Sequence, residues 1–360
     1  MKVTDMISTP LSVPLKWPIV SGIAANRANP IIVQLFTDEG LEGIGLAFTW
    51  NDRRVKSLKA CIDDLKETIV GQDIFRWAEA WQKLWNDTRW MGHQGYPIYA
   101  LSAIDTALWD LRGKAAGLPV SRLLGGYRGE VPVYASHLLF LNWSIYQLQK
   151  DAASLVEQGF RAMKMNMGDK PFQVELERLG AVREAVGDDI DILVDVNWVW
   201  TVPQAIQMGR ELEKYHVYWL EDPLASNDPA DWALVTNALG LRVAGGETLS
   251  SKHDFRRVFE NKALDVLMPD LQRVGGVTEW MKVAVMAEAW HLPVASHVFH
   301  EFSAHLVAAI PNGLIVEYMP WWEFLYKEPL PLKDGCIKIP NKPGFGLELD
   351  LDIIKKYILK

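Results

Sequence analysis

Seven ionisable side chains close a series of short apolar segments in the second half of the chain. They are, in order, Lys164, Asp195, Glu221, Glu247, Asp270, His297 and Glu317. Successive members lie 20 to 31 residues apart, about the length of one strand, one helix and their loops. Because a parallel barrel of strands and helices gathers the C-terminal ends of its strands at one mouth, this spacing predicts that all seven converge. Any single carboxylate could instead cap the following helix.

Three of these side chains are carboxylates that end consecutive strands. Asp195, Glu221 and Glu247 would repel one another in one mouth unless a cation lay among them. Oxygen ligands without cysteine or histidine favour Mg²⁺ over zinc, and three of them leave about half of an octahedral shell for substrate oxygens and water. Asn197 lies on the same strand face as Asp195, and is either a further hydrogen-bonding group of this site or a turn residue.

The next two strand ends carry Asp270 and His297. A carboxylate beside an imidazole fixes its tautomer and raises its basicity, so His297 is the candidate base. Lys164 and Asn166 point to the same side of the second strand. An ammonium group near a metal site needs a negative partner, and the carboxylate of a substrate is the simplest one.

The elements that must position these residues alternate along the chain. From residue 131 onwards, eight apolar runs of strand length are separated by seven helical patterns, which is the count expected of a β/α barrel. No Gly-x-Gly-x-x-Gly motif supports a doubly wound sheet instead. The first 50 residues alternate apolar and polar positions, with a hairpin about residues 38–40, and residues 52–117 are helical, with the last helix ending at Gly117.

Composition excludes several classes of protein. Thirty-seven basic and forty-five acidic side chains give a net charge of −8 without a basic run, so we expect no nucleic-acid partner. No apolar stretch approaches the roughly 18 residues of a membrane span, and we expect no membrane partner. Two cysteines far apart in sequence and no secretory signal predict a reduced, cytoplasmic protein. A homo-oligomer is the expected assembly.

Taken together, these motifs resemble the enolase superfamily, and within it the mandelate racemase subgroup. The resemblance spans essentially the whole chain and rests on KMN at residues 164–166, DVN at 195–197, EDP at 221–223 and GE at 246–247, followed by the Asp, His and Glu that end the last three strands. It implies an α/β fold, a modified TIM barrel of the (β/α)7β type with an N-terminal α+β capping domain. We predict a capping domain over residues 1–125, a catalytic barrel over 126–324, and a C-terminal segment, 325–360, that returns to the capping domain.

The resemblance also implies a reaction. Mg²⁺ held by Asp195, Glu221 and Glu247 would bind a carboxylate substrate and stabilise the enediolate that forms when its α-proton is removed. In such a reaction His297, paired with Asp270, is the base. The remaining strand-end residues also have roles by resemblance: Lys164 adds positive charge, and Glu317, if protonated, donates a hydrogen bond to the substrate carboxylate.

One position departs from the family pattern. Members that racemise carry a second lysine where this chain has Asn166, and an amide cannot accept a proton at neutral pH. A single base suffices for dehydration, and acid sugar dehydratases are common in this subgroup, so the resemblance implies an acid sugar dehydratase that forms a 2-keto-3-deoxy acid. The alternatives are a racemase or epimerase of a 2-hydroxy acid, a metal-binding pseudoenzyme, and metal-assisted hydrolysis on an ordinary barrel.

Substrate specificity is expected in the capping domain. Its loops near residues 16–29 and 48–54 resemble the segments that close over the barrel mouth in this family. Arg27, Trp50 and Arg54 are therefore the candidates for contacting the far end of the substrate, beside Asn166 and Asn197 at the reacting end.

Overall fold

The computed structural model describes residues 1–359, and it begins with an antiparallel sheet of four strands. These are β1 (Val3–Pro10), β2 (Val13–Val20), β3 (Ala24–Thr37) and β4 (Glu42–Trp50). β3 is central, because β4 pairs along one edge and β1 and β2 share the other. The predicted hairpin is confirmed: Gly40 takes φ +81° in the turn between β3 and β4, a conformation that glycine adopts without steric cost.

Helices cover one face of this sheet. They are α1 (Val55–Asp64), α2 (Lys66–Ile69), α3 (Trp77–Asp87) and α4 (Tyr96–Ala116), with a 3-10 turn at Thr88–Met91. The short helix α5 (Val120–Leu123) follows and contacts α4. Period-two alternation divides β3: Ile31, Val33 and Leu35 pack against the helices, whereas Ala28 and Ile32 face the barrel core. As predicted, α4 stops at Gly117, which takes φ +67°.

The second part of the chain is the predicted β/α barrel. Its parallel strands are β5 (Glu130–Ala135), β6 (Ala162–Asn166), β7 (Asp191–Asp195), β8 (Val217–Glu221), β9 (Arg242–Gly245), β10 (Val266–Leu267) and β11 (Val316–Tyr318). The strands run in sequence order from β5 to β10, and β11 pairs with β5. The predicted strand ending at His297 is not a regular strand; residues 292–297 join the barrel only through isolated bridges. Pro293 removes one donor there.

Seven helices connect these strands, as predicted. They are α6 (Ile145–Glu157), α7 (Phe172–Val186), α8 (Val202–Leu212), α9 (Pro229–Thr236), α10 (Lys252–Asn261), α12 (Gly276–Ala289) and α13 (His300–Ala309). A short helix, α11 (Leu271–Val274), precedes α12, and 3-10 turns occur at Glu213–Tyr215 and Glu323–Leu325. Within residues 1–359, no helix has the length and apolar character needed to cross a membrane.

The C-terminal segment contacts both parts of the molecule. Its hairpin, β12 (Leu332–Lys333) and β13 (Cys336–Lys338), adds to the barrel strand β5. The last helix, α14 (Leu351–Tyr357), brings Tyr357 O within 2.8 Å of Ser12 N in the capping domain. The segment therefore pairs with the barrel strand β5 before it reaches the capping domain.

The capping domain docks on the barrel through buried polar contacts. Asp105 of α4 accepts hydrogen bonds from Thr278 N and Oγ1 at 2.8 and 2.7 Å. Ser102 Oγ donates to Gln272 O at 2.7 Å, and Phe48 N donates to Gln272 Oε1 at 2.6 Å. Hydrogen bonds between buried groups are costly to break because no water replaces them, so the capping domain sits on residues 272–278 in one defined position.

Candidate active site

A cavity of about 240 Å³ opens where the C-terminal ends of the barrel strands face the capping domain. Its barrel wall contains most of the predicted chemical groups, namely Lys164, Asn166, Asp195, Asn197, Glu247, His297 and Glu317. Its capping wall includes Ile19, Ile23, Phe48 and Trp50. Side chains that are far apart in sequence therefore meet in one cavity.

Lys164 lies among three carboxylates. Its Nζ atom is 2.6 Å from Glu317 Oε1, 2.8 Å from Glu221 Oε1 and 3.2 Å from Asp195 Oδ2. Burial opposes the charge of Lys164, but Glu221, Glu317 and Asp195 together hold its pKa well above the usual range. The ammonium group is a fixed positive charge at the floor of the cavity.

The three predicted metal ligands are buried at the ends of β7, β8 and β9. Burial, reinforced by repulsion from Asp195 and Glu317, raises the pKa of Glu221 to about 8, and burial together with repulsion from Glu247 raises the pKa of Asp195. Such mutual destabilisation is relieved by a cation. In residues 1–359, no three acidic, histidine or cysteine side chains already converge at ligand distances. Instead, Lys164 lies between Asp195 and Glu221, and Arg273 binds Glu247. The donor set, all carboxylate oxygens, is the one that Mg²⁺ prefers.

His297 and Asp270 form the predicted pair. His297 Nδ1 lies 2.6 Å from Asp270 Oδ2, and its Nε2 lies 2.9 Å from Glu247 Oε2. Burial opposes protonation of His297, but Glu247 and Asp270 raise its pKa well above the usual range. Asp270 also caps α11, since its Oδ1 accepts a hydrogen bond from Arg273 N at 2.7 Å. The helix-capping and imidazole-orienting roles thus use different oxygens of one carboxylate.

The sequence left the charge of Glu317 open. In the structure its carboxylate accepts hydrogen bonds from Ser136 Oγ at 2.7 Å and Val298 N at 2.6 Å, beside the contact with Lys164. Although burial favours the neutral acid, Lys164 and His297 lower the pKa of Glu317. In this arrangement Glu317 is a carboxylate that holds Lys164 in place.

The two asparagines lie beside Asp195, one of the predicted metal ligands. Asn166 Nδ2 is 3.4 Å from Asp195 Oδ2, and the residue is buried on the cavity wall. Asn197 Nδ2 donates to Asp195 Oδ1 at 2.7 Å, while its Oδ1 accepts from Gly22 N at 2.5 Å. A Cβ atom at position 22 would lie 2.7 Å from Asn197 Cβ, so this approach of the capping loop requires glycine.

The three specificity candidates have different positions. Trp50 lines the cavity, and its ring centroid is 4.8 Å from that of Trp321 in an edge-to-face arrangement. Arg54 lines an adjoining cavity. Arg27 was predicted to contact substrate, but its guanidinium donates to Ser12 Oγ at 2.6 Å and lies 3.4 Å from Asp52, and it is not part of the cavity wall. These local partners hold Arg27 in the capping sheet.

Comparison with known protein families shows to which family the chain belongs. The N-terminal domain of the mandelate racemase / muconate lactonizing enzyme family matches residues 4–125, and the enolase C-terminal domain-like family matches residues 147–353. The chain belongs to the mandelate racemase subgroup of the enolase superfamily. The predicted family and the predicted barrel with its capping domain are confirmed.

Characterised members of this superfamily cover nearly the whole chain. A 3,6-anhydro-α-L-galactonate cycloisomerase of Streptomyces coelicolor is 33% identical over 89% of each chain. An L-talarate/galactarate dehydratase of Salmonella typhimurium is 32% identical over 93% of this chain and 86% of its own. The structure of L-talarate dehydratase from Polaromonas sp. JS666 with Mg and L-glucarate has a TM-score of 0.94 and 31% identity, covering 100% and 98% of the two chains. The relatives are enolase-type enzymes, and Mg²⁺ as the cofactor is confirmed.

Sequence reasoning about this superfamily member missed Arg273. Its Nη1 atom lies 2.8 Å from Glu247 Oε1, so it binds a predicted metal ligand directly. The sequence did contain an indication of this role: Arg273 lies three residues after Asp270, within the helical turn that Asp270 caps. That turn directs the Arg273 side chain toward the strand ends. Ser136 at the end of β5 was missed because a single serine after a strand is unremarkable in sequence.

Proposed function

We propose that this protein removes the α-proton of an acid sugar and eliminates the β-hydroxyl, forming a 2-keto-3-deoxy acid in an Mg²⁺-dependent reaction. The observation that carries the proposal is an asymmetric cavity: His297, oriented by Asp270, provides one base, and Asn166 provides an amide where a second base would stand. One base supports elimination, whereas exchange on both faces of the α-carbon needs two.

The binding groups are carboxylates and one ammonium. Asp195, Glu221 and Glu247 would hold the metal ion, which supplies positive charge against the negative charge that develops on the substrate carboxylate. Lys164 supplies a second positive charge from the cavity floor. Because these charges are already oriented, they stabilise that developing charge without reorganisation.

The proton transfers use His297. Its Nε2 atom, on the side of the ring away from Asp270, contacts Glu247 in this structure and would be released when Glu247 holds the metal ion. The free Nε2 atom then takes the α-proton, and the electron pair of the broken C–H bond moves into the carboxylate. As that pair returns, the β-carbon–oxygen bond breaks, and the imidazolium gives its proton to the departing hydroxyl, so that water leaves. The resulting enol becomes the 2-keto acid. Asp270 holds the Nδ1–H throughout and thereby fixes which nitrogen is basic.

A second candidate reaction, a ring opening, shares these steps until the β-carbon–oxygen bond breaks. If the β-oxygen belongs to a ring, its expulsion opens the ring and no water is lost. The cycloisomerase relative, at 33% identity, favours this candidate beside the dehydratases. Both reactions need one base, and the mass of the product separates them, because dehydration removes one water and ring opening conserves the mass.

The test is incubation with a panel of aldonates, aldarates and their anhydro forms in D₂O with Mg²⁺, followed by NMR and mass spectrometry. A 2-keto-3-deoxy product from at least one acid is expected. His297→Asn should abolish both product and α-deuterium uptake, while His253→Asn on α10, which is outside the cavity, should retain them. Deuterium exchange at both epimers without elimination would establish a racemase, and no exchange with any acid would establish a non-catalytic protein.

A further inference from the structure

Two large aromatic side chains fill the interior of the barrel. Trp219 on β8 and Tyr134 on β5 are both fully buried, and their rings meet edge to face, with centroids 5.5 Å apart and planes at 88°. The same buried cluster contains the small side chains of Ala162, Ala244 and Ala295, which leave room for the two rings. Because barrel interiors are filled by close-packed layers of side chains, the Trp219 ring is held in one position.

The indole of Trp219 binds one of the proposed metal ligands. Trp219 Nε1 donates a hydrogen bond to Glu221 Oε2 at 3.0 Å. The two residues are two positions apart on β8, so both side chains point to the same face of the strand. The other oxygen of this carboxylate, Oε1, lies 2.8 Å from Lys164 Nζ at the cavity. The two oxygens of Glu221 therefore have separate partners, one in the barrel interior and one at the cavity.

These two partners differ in what they lose if Glu221 binds a cation. Lys164 Nζ also contacts Glu317 and Asp195, at 2.6 and 3.2 Å, so it can give up Glu221 Oε1 and keep two carboxylate partners. The Trp219 N–H is buried and donates only once. If Glu221 Oε2 moved away, this N–H would lose its acceptor where no water replaces it, which is costly. Oε1 is thus the oxygen that can be freed for a cation, and Oε2 stays on Trp219.

We propose that Trp219 is a positioning residue of the metal site, which holds Glu221 Oε2 in the barrel interior so that the carboxylate offers Oε1 alone to the metal ion. The inference rests on the proposed role of Glu221 as a metal ligand. A carboxylate fixed at one oxygen suits Mg²⁺, which requires regular octahedral coordination, whereas Ca²⁺ also accepts carboxylates through both oxygens. Trp219 therefore contributes to Mg²⁺ affinity and to discrimination against Ca²⁺.

The test removes the indole N–H without changing the shape of the ring. β-(3-Benzothienyl)alanine, introduced at position 219 by stop-codon suppression, carries sulfur in place of the N–H. The matched control is the same replacement at Trp232 on α9, a buried indole whose Nε1 donates at 2.8 Å to a backbone carbonyl, Ser226 O. Trp219→Phe and Trp232→Phe form a second pair. Calorimetry on the full chain, freed of metal by chelation, measures the Kd of Mg²⁺ and of Ca²⁺ without any substrate.

Loss of the N–H at position 219 should raise the Kd of Mg²⁺ roughly 10- to 100-fold, which is the usual effect of removing a group that orients a metal ligand. The Kd of Ca²⁺ should change less, because the released Glu221 carboxylate can then bind through both oxygens. Both replacements at Trp232 should keep the parent values. If Trp219→Phe fails to fold, as judged by circular dichroism, the benzothienyl replacement decides, since it preserves the volume of the ring.

Three results would overturn the positioning role of Trp219. They are an unchanged Kd of Mg²⁺ after loss of the N–H, equal weakening of Mg²⁺ and Ca²⁺, and the same weakening in the Trp232 control. Glu221→Gln is measured in parallel, and parent affinity in that variant would show that Glu221 is not a ligand, so that the role of Trp219 fails with it. A protein that binds Mg²⁺ as expected but converts no acid sugar would contradict the proposed function alone.

Discussion

Asp105 is a buried carboxylate that joins the two domains, and its removal should change how stability depends on pH. Its oxygens accept hydrogen bonds from Thr278 N and Oγ1 at the first turn of α12, a helix whose own N-cap, Gly275, provides no side chain. Asp105 thus caps a barrel helix from the capping domain. A Cβ atom on Gly276 would lie 2.7 Å from Asp105 Oδ2, so glycine is required for this contact.

The size of the expected change in stability follows from the pKa of Asp105. Burial, opposed by Arg112 and by the bonds from Thr278, raises the pKa of Asp105 from 3.8 to about 6. Because the folded state holds this proton more tightly than the unfolded chain, the free energy of unfolding falls as pH rises from about 4 to about 6. The shift of about 2 units corresponds to about 3 kcal/mol in full, and to about 2 kcal/mol between pH 4.5 and 7.5.

Two substitutions separate the charge from the hydrogen bonds. Asp105→Asn keeps the volume and abolishes the titration, so the stability of the parent relative to this variant should fall by about 2 kcal/mol between pH 4.5 and 7.5. Asp105→Ala leaves both donors of Thr278 without an acceptor and should cost about 2 to 4 kcal/mol. Asp228→Asn, at the exposed N-cap of α9, should change stability by less than about 0.5 kcal/mol, because Asn caps as well as Asp.

Urea unfolding followed by tryptophan fluorescence at pH 4.5, 5.5, 6.5 and 7.5 measures these differences. A parent-minus-Asp105→Asn difference that stays constant over this range would refute the titration of Asp105. Equal stability of Asp105→Ala and the parent would show that the contact with Thr278 does not fix the domains.

Four further outcomes test the site. Chelation should abolish activity, and added Mg²⁺ should restore it. Glu221→Gln should weaken metal binding as measured by calorimetry. Full activity after chelation would contradict the proposed metal ligands. His297→Asn should lose α-proton exchange at unchanged circular dichroism, and exchange at the parent rate would remove its role as base. Asn166→Lys should create exchange from the second α-epimer, since a general base contributes a factor of about 10² to 10⁴; equal uptake from both epimers in the parent would show that another group already serves that face. Gly22→Ala should raise KM, because the new Cβ would meet Asn197 Cβ at 2.7 Å, and an unchanged KM would show that this loop contact is not used by substrate.

The strand-end residues were predictable because apolar runs locate the ends of buried strands, and barrel geometry then gathers those ends. Lys164 and His297 follow from this rule alone. Arg27 does not, because its direction depends on hydrogen bonds to Ser12 and Asp52 in the same sheet, and no periodicity encodes such partners. The charge state of Glu317 could not be predicted either, since it depends on Lys164 and His297, which approach it from different parts of the barrel.

One segment of the barrel connects the proposed chemistry with the docking of the capping domain. Asp270 orients His297 through one oxygen and caps α11 through the other. Two residues later, Gln272 accepts a hydrogen bond from Phe48 N, next to the cavity-lining Trp50, and the segment ends at Thr278 on Asp105. A shift of the capping domain would therefore pull on the turn that fixes the imidazole. Substitutions at the domain interface should change the pH profile of α-proton exchange as well as KM.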